Sequence, residues 1–109
     1  MGHEYQDRVS LELARMIAAE LPQRPEWIVM ALDNLDRWTA RNHDAPGLLR
    51  CYAEWRAILG RPVEEVCRVL TEKSDEGQRL RQSSPFAGAI PYAVVWDVKR
   101  RVRDEQNAA

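Results

Sequence analysis

Prolines at positions 22, 25, 46, 62, 85 and 91 cut the chain into short lengths, and between them apolar residues recur at helical spacing. Proline is tolerated in the first turn of a helix and breaks its interior, so each one marks a boundary. A chain divided this way is restricted to several short helices joined by tight turns. The pattern predicts an all-α protein, a compact bundle-like or orthogonal array of five to six short helices.

The first helix is expected over 4–20, with Tyr5, Val9, Leu13, Met16 and Ile17 on one face. The second opens at Pro25 and runs to about Arg41. At about 100° per residue, Trp27, Ile28, Ala31, Leu32, Leu35 and Trp38 fall within about 140° of arc. On its polar side Asp33 and Asp36 are spaced to pair with Arg37 and Arg41. Asp44 is placed to cap a third helix over 45–59, whose apolar face carries Leu48, Cys51, Tyr52, Trp55 and Ile58. Gly60 closes it, and Pro62 opens a fourth helix that ends near Lys73, with Glu64 and Glu65 near its positive end. Ser74 is placed to cap a short fifth helix, which must stop before Pro85 and has Leu80 as its one apolar anchor. The last segment starts at Pro91. "IPYAVVW" is β-branched and aromatic enough for a strand. Without a second strand to pair with, a helix carrying Val94, Val95, Val98 and Val102 on one face is the better reading.

The whole chain, 1–109, reads as a single helical domain, with residues 1–3 outside its ordered part and 104–109 a frayed tail. No apolar run is long enough for a transmembrane helix. The opening Met-Gly-His-Glu-Tyr-Gln-Asp lacks the basic and apolar regions of a secretory signal, so a cytoplasmic location and no membrane partner are expected. Cys51 and Cys67 lack metal-type spacing and fall on apolar faces, which predicts buried thiols rather than a disulfide.

Little points to catalysis. His43 lies in a polar loop beside Asp44 without the further ligands a metal needs. The carboxylate pairs lie on solvated faces, the cysteines have no histidine near them in sequence, and no glycine-rich phosphate loop is present. The expectation is a non-enzymatic protein with no catalytic residue, cofactor or metal.

Charge is more informative. Net charge is −1, but residues 1–78 carry ten basic and fourteen acidic side chains. Residues 79–103 then hold Arg79, Arg81, Lys99, Arg100, Arg101 and Arg103 against Asp97 alone. An electropositive C-terminal third on an acidic body suits an acidic or anionic partner. Trp27, Trp38 and Trp55 lie on stripes that must face a core, whereas Trp96 sits at the edge of its stripe beside the cations, where tryptophan and arginine favour interfaces.

The stretch "EGQRLRQSSPFAG", residues 76–88, admits two readings. In one, Gln78, Arg79, Arg81, Gln82, Ser83 and Ser84 are exposed and face a partner. In the other, Ser83 and Ser84 bond the backbone around Pro85 and Phe86 enters the core. A helix-turn-helix built on helices three and four is disfavoured, because Glu64 and Glu65 would face phosphate. Built on helices four and five, it would set Arg79, Arg81 and Gln82 on base edges and Arg100, Arg101 and Arg103 on phosphates.

The candidate surface is therefore Gln78, Arg79, Arg81, Gln82, Ser83, Ser84, Trp96, Lys99, Arg100, Arg101 and Arg103. Its expected use is docking onto another protein or a second copy of the chain, as a homodimer. The alternative is a small nucleic-acid-binding regulator. Either use requires the two cationic segments to meet in space.

Overall fold

Helix α1, His3–Glu20, is the element on which most of the others lean. A computed structural model describes the backbone of residues 3–108 and the side chains of residues 4–108. Met1, Gly2 and Ala109 lie outside the described residues, and with them most of the expectation for residues 1–3. After α1 comes a 3-10 turn, Leu21–Gln23, and then α2 (Glu26–Arg41), α3 (Pro46–Leu59), α4 (Val63–Leu70), α5 (Asp75–Gln82) and α6 (Tyr92–Ala108). There is no strand among the described residues, so "IPYAVVW" is a turn running into a helix. The array is compact, with a radius of gyration of 14.2 Å.

Two apolar clusters organise the packing. The larger is built on Leu21, Ala31, Leu35, Trp55, Val66 and Leu70, each fully withdrawn from water. It draws one face from each of α1 to α5, and Trp27 and Trp38 lie half-buried against it. The smaller joins α1 to α6 through Val9, Val98 and Val102, flanked by Tyr5, Leu13 and Met16. The main body thus condenses around Trp55, while α6 is held mainly by a valine seam along α1. α2 packs on α3, α3 on α4, and α4 on α5, while α1 crosses α4, α5 and α6.

Several boundaries follow from local chemistry. Ser74 caps α5, its Oγ accepting from the Gly77 N–H at 3.1 Å. Such a cap satisfies a donor that a helix start otherwise leaves free. Gly60 ends α3 as expected. Asp44 does not cap that helix: Ala45 takes the cap position without a side-chain bond, and Pro46 opens the first turn. α4 stops at Leu70, three residues earlier than expected, where the Thr71 hydroxyl donates to the Cys67 carbonyl at 2.9 Å. The tail expected to fray from 104 continues as helix to Ala108, and Glu105 pairs with Arg8 of α1.

Asp33 and Asp36 do not take their expected partners. Asp36 pairs with Arg56 of α3 at 2.7 Å, and Arg37 bonds Asn34. Both cysteines are free and half-buried. Burial, followed by the nearby Glu64 carboxylate, raises the Cys67 thiol above its ordinary pKa, and its Sγ donates to the Ala18 carbonyl at 3.4 Å. No helix among the described residues is long and apolar enough to cross a membrane.

Candidate functional site

Residues 76–88 are held from three sides. Trp55 Nε1 donates to the Leu80 carbonyl at 2.9 Å. Arg81 Nη1 donates to the carbonyls of Leu70 and Glu72 at 3.1 and 2.6 Å. Asn34 Nδ2 donates to the carbonyls of Pro85 and Ala87 at 2.8 and 3.1 Å. Phe86 enters the core against Trp55, with ring centroids 6.4 Å apart and nearly perpendicular. The Ser84 hydroxyl accepts from the Phe86 N–H at 3.4 Å, and Gly88 turns the chain at a φ of +91°, a region glycine enters without penalty. Short apolar content is thus compensated by polar pins from α2 and α3 and by the Arg81 bonds to the α4 end.

Arg79 and Arg81, expected to be equivalent exposed cations, have opposite fates. Arg79 grips Glu54 of α3 with two nitrogens, at 3.1 and 2.7 Å, and Glu76 through Nε at 2.7 Å. These bonds, Glu76's first and then Glu54's, push the Arg79 pKa further up, and Arg79 in turn holds Glu76 below its ordinary value. Arg81 is buried, with 6% of its surface exposed, which corrects its expected exposure. The i+4 register from Gly77 turns it inward under α1, where loss of solvent lowers its pKa. Arg79→Ala is therefore expected to leave the melting temperature almost unchanged, since exposed ion pairs contribute little. Arg81→Ala strands two carbonyls and should cost about 2 kcal/mol in denaturant unfolding. Equal effects of the two substitutions would contradict this division of roles.

The two cationic segments meet only in part. A groove of about 680 Å³ runs between α1 and α6 with the end of α5 as its floor. It brings together Arg81, Gln82, Trp96, Lys99 and Arg103 of the expected set. Gln78 lines a neighbouring groove with Arg81, and Ser83 and Ser84 line a smaller hollow beside Trp38 and Tyr52. Arg79 is turned toward α3. Arg100 pairs with Asp97 at 3.5 Å and Arg101 with Glu12 at 3.6 Å.

Lys99 and Arg103 differ from these: neither meets a carboxylate at ion-pair distance among the described residues. Lys99 lies over the Trp96 ring at 5.2 Å, and Arg103 over the Tyr5 ring at 5.7 Å. Tyr92 and Trp96 meet edge to face at 6.0 Å and stay 74% and 46% exposed. At about 100° per residue, Tyr92, Trp96, Lys99 and Arg103 fall within about 60° of arc, an unbroken stripe adjoining the valine seam.

Sequence reasoning missed the α1 side of the groove, Tyr5, Asp7 and Ser10. It also missed Asn34, which is 4% exposed. Asn34 had a legible signal, since it is a polar residue at the edge of the apolar stripe of α2, beside Trp27 and Trp38. The α1 residues had none, because their role depends on where α6 lies. Among the described residues no cluster of three or more His, Cys, Asp or Glu side chains is placed to hold a metal ion. Comparison of the chain with protein-family models, with curated proteins and with solved structures finds no match in any of the three.

Proposed function

We propose that the protein is a non-catalytic docking module that binds an acidic segment of another protein along α6. The observation that carries this reading is the exposed stripe Tyr92–Trp96–Lys99–Arg103, in which two large aromatics continue into two cations without carboxylate partners among the described residues. Exposed aromatics beside arginine are the usual anchors of protein interfaces. Cation–π contacts leave the charges of Lys99 and Arg103 open to an incoming acid. An amphipathic acidic helix laid along the groove would meet aromatic surface at one end of the stripe and positive charge at the other.

The nucleic-acid reading is weaker on specific grounds. Of its three base-reading side chains, Arg79 is tied to carboxylates and Arg81 is buried rather than displayed on an exposed helix face. Arg100 and Arg101, meant for phosphates, already face Asp97 and Glu12.

The test is fluorescence anisotropy with a panel of labelled acidic amphipathic peptides, each about four helical turns long, beside a random DNA duplex at the same low salt. Peptide binding is expected, weakened at least 10-fold by Trp96→Ala and by Lys99→Glu, with an unchanged melting temperature. Binding of the duplex alone would transfer the function to nucleic acid. Light scattering that shows a dimer disrupted by Trp96→Ala would transfer it to a second copy of the chain.

A further inference from the structure

Arg81 carries a charge that the fold compensates only from a distance, through Asp7 and Glu72. As a residue it is more than nine-tenths withdrawn from water, yet no carboxylate lies at ion-pair distance among the described residues. Nη1 is used on the carbonyls of Leu70 and Glu72. Nε is buried and has no hydrogen-bond partner. No described group bonds Nη2, so the Nε–Nη2 edge of the fork is free. That edge presents two parallel N–H donors, the geometry that matches the two oxygens of a carboxylate. A buried cation whose charge is only partly met by carbonyl dipoles remains costly until an anion reaches it.

The surroundings fit such an anion. The groove reaching Arg81 also carries Lys99 and Arg103, so three cations face the single acid Asp7. Ser10 and Gln82 add uncharged donors, and Tyr5 and Trp96 form aromatic walls. A volume of about 680 Å³ admits a side chain together with part of the backbone that bears it.

We infer that Arg81 is the floor of a carboxylate-reading site, in which an aspartate or glutamate side chain of the docked segment enters the α1–α5–α6 groove and is held by Arg81, Lys99 and Arg103. The inference rests on the docking reading above and adds its specificity: one acidic position of the partner is indispensable, while the others act only through the general field. Asp7 competes with the incoming carboxylate, so its charge restrains binding.

The experiment uses the full chain, labelled so that arginine Nε–H signals are seen by NMR, and titrated with the tightest peptide of the panel. The Arg81 Nε–H signal is expected to shift and to exchange more slowly with water. Glutamine replacing each acidic peptide residue in turn should reveal one position whose loss weakens binding at least 10-fold and abolishes the Arg81 shift. Asp7→Asn should tighten binding several-fold, and this variant leaves the pins of residues 76–88 intact. Peptide binding that depends on Trp96 but leaves the Arg81 signal and the Asp7→Asn affinity unmoved would overturn the carboxylate site and leave docking standing. Absence of binding by any peptide of the panel would overturn docking itself. Sodium acetate that moves the Arg81 signal where the peptides do not would overturn the assignment to a partner's side chain in favour of a free organic acid.

Discussion

Replacing Gly77 by alanine should cost about 3 kcal/mol, the upper part of the range for forcing an extra carbon into a packed site. A Cβ at this position would lie 2.1 Å from the Glu72 carbonyl oxygen and 2.9 Å from its carbon. Both are backbone atoms, so no side-chain rotation relieves the clash. The carbonyl cannot retreat cheaply either, because Arg81 holds it at 2.6 Å. To admit the methyl group, α5 must lift away from the end of α4. That strains the Ser74 cap on the Gly77 N–H and the Arg81 bonds together. At roughly 4–8 °C per kcal/mol the midpoint should fall by more than 10 °C in a thermal melt. Gly47→Ala is the counterpart. Nothing lies within 4 Å of a Cβ there, and the residue is in the first turn of α3. That substitution should leave stability unchanged or raise it by a few tenths of a kcal/mol. If the two variants melt alike, the close approach of α5 to α4 is not as described.

Trp55→Ala should be at least as damaging, at about 3–5 kcal/mol. The ring is fully buried at the centre of the larger cluster, it meets Phe86 edge to face, and its Nε1–H satisfies the Leu80 carbonyl. Truncation therefore opens a cavity, frees Phe86 and removes one of the donors to the Leu80 carbonyl, which keeps the Ser83 N–H at 3.1 Å. Trp55→Phe separates these contributions. It keeps most of the apolar volume, removes the donor and leaves a smaller cavity, so its cost should be about 1–3 kcal/mol. Denaturant unfolding of the two variants decides between them. A phenylalanine variant as unstable as the alanine one would place the weight on the hydrogen bond. One indistinguishable from the parent would show that the Ser83 N–H and hydroxyl suffice for the Leu80 carbonyl.

Most of the architecture was legible because prolines and 3.6-residue periodicity report local geometry directly. The helices fall where Pro25, Pro46, Pro62, Pro85 and Pro91 allow, and Ser74 caps α5 as its position implies. The errors arose where two segments compete for one side chain. Asp36 was assigned to its own helix and instead reaches Arg56 of α3. The tail from 104 has little apolar content and reads as frayed, yet Glu105 finds Arg8 on a helix nearly a hundred residues earlier. Within "QRLRQ", Arg79 and Arg81 have the same chemistry and similar neighbours. Only the turn of α5 against α1 and α3 sends one to carboxylates at the surface and the other beneath α1.

By itself the sequence determined the helical class, a count of five to six helices with their approximate bounds, and the placing of positive charge late in the chain. These properties depend on backbone dihedrals and on spacing within about four residues. Tertiary structure alone decided which cations remain available. Ion pairing and burial depend on distances across elements, and those are set by how the valine seam lays α6 on α1 and how Gly77 lets α5 close on α4.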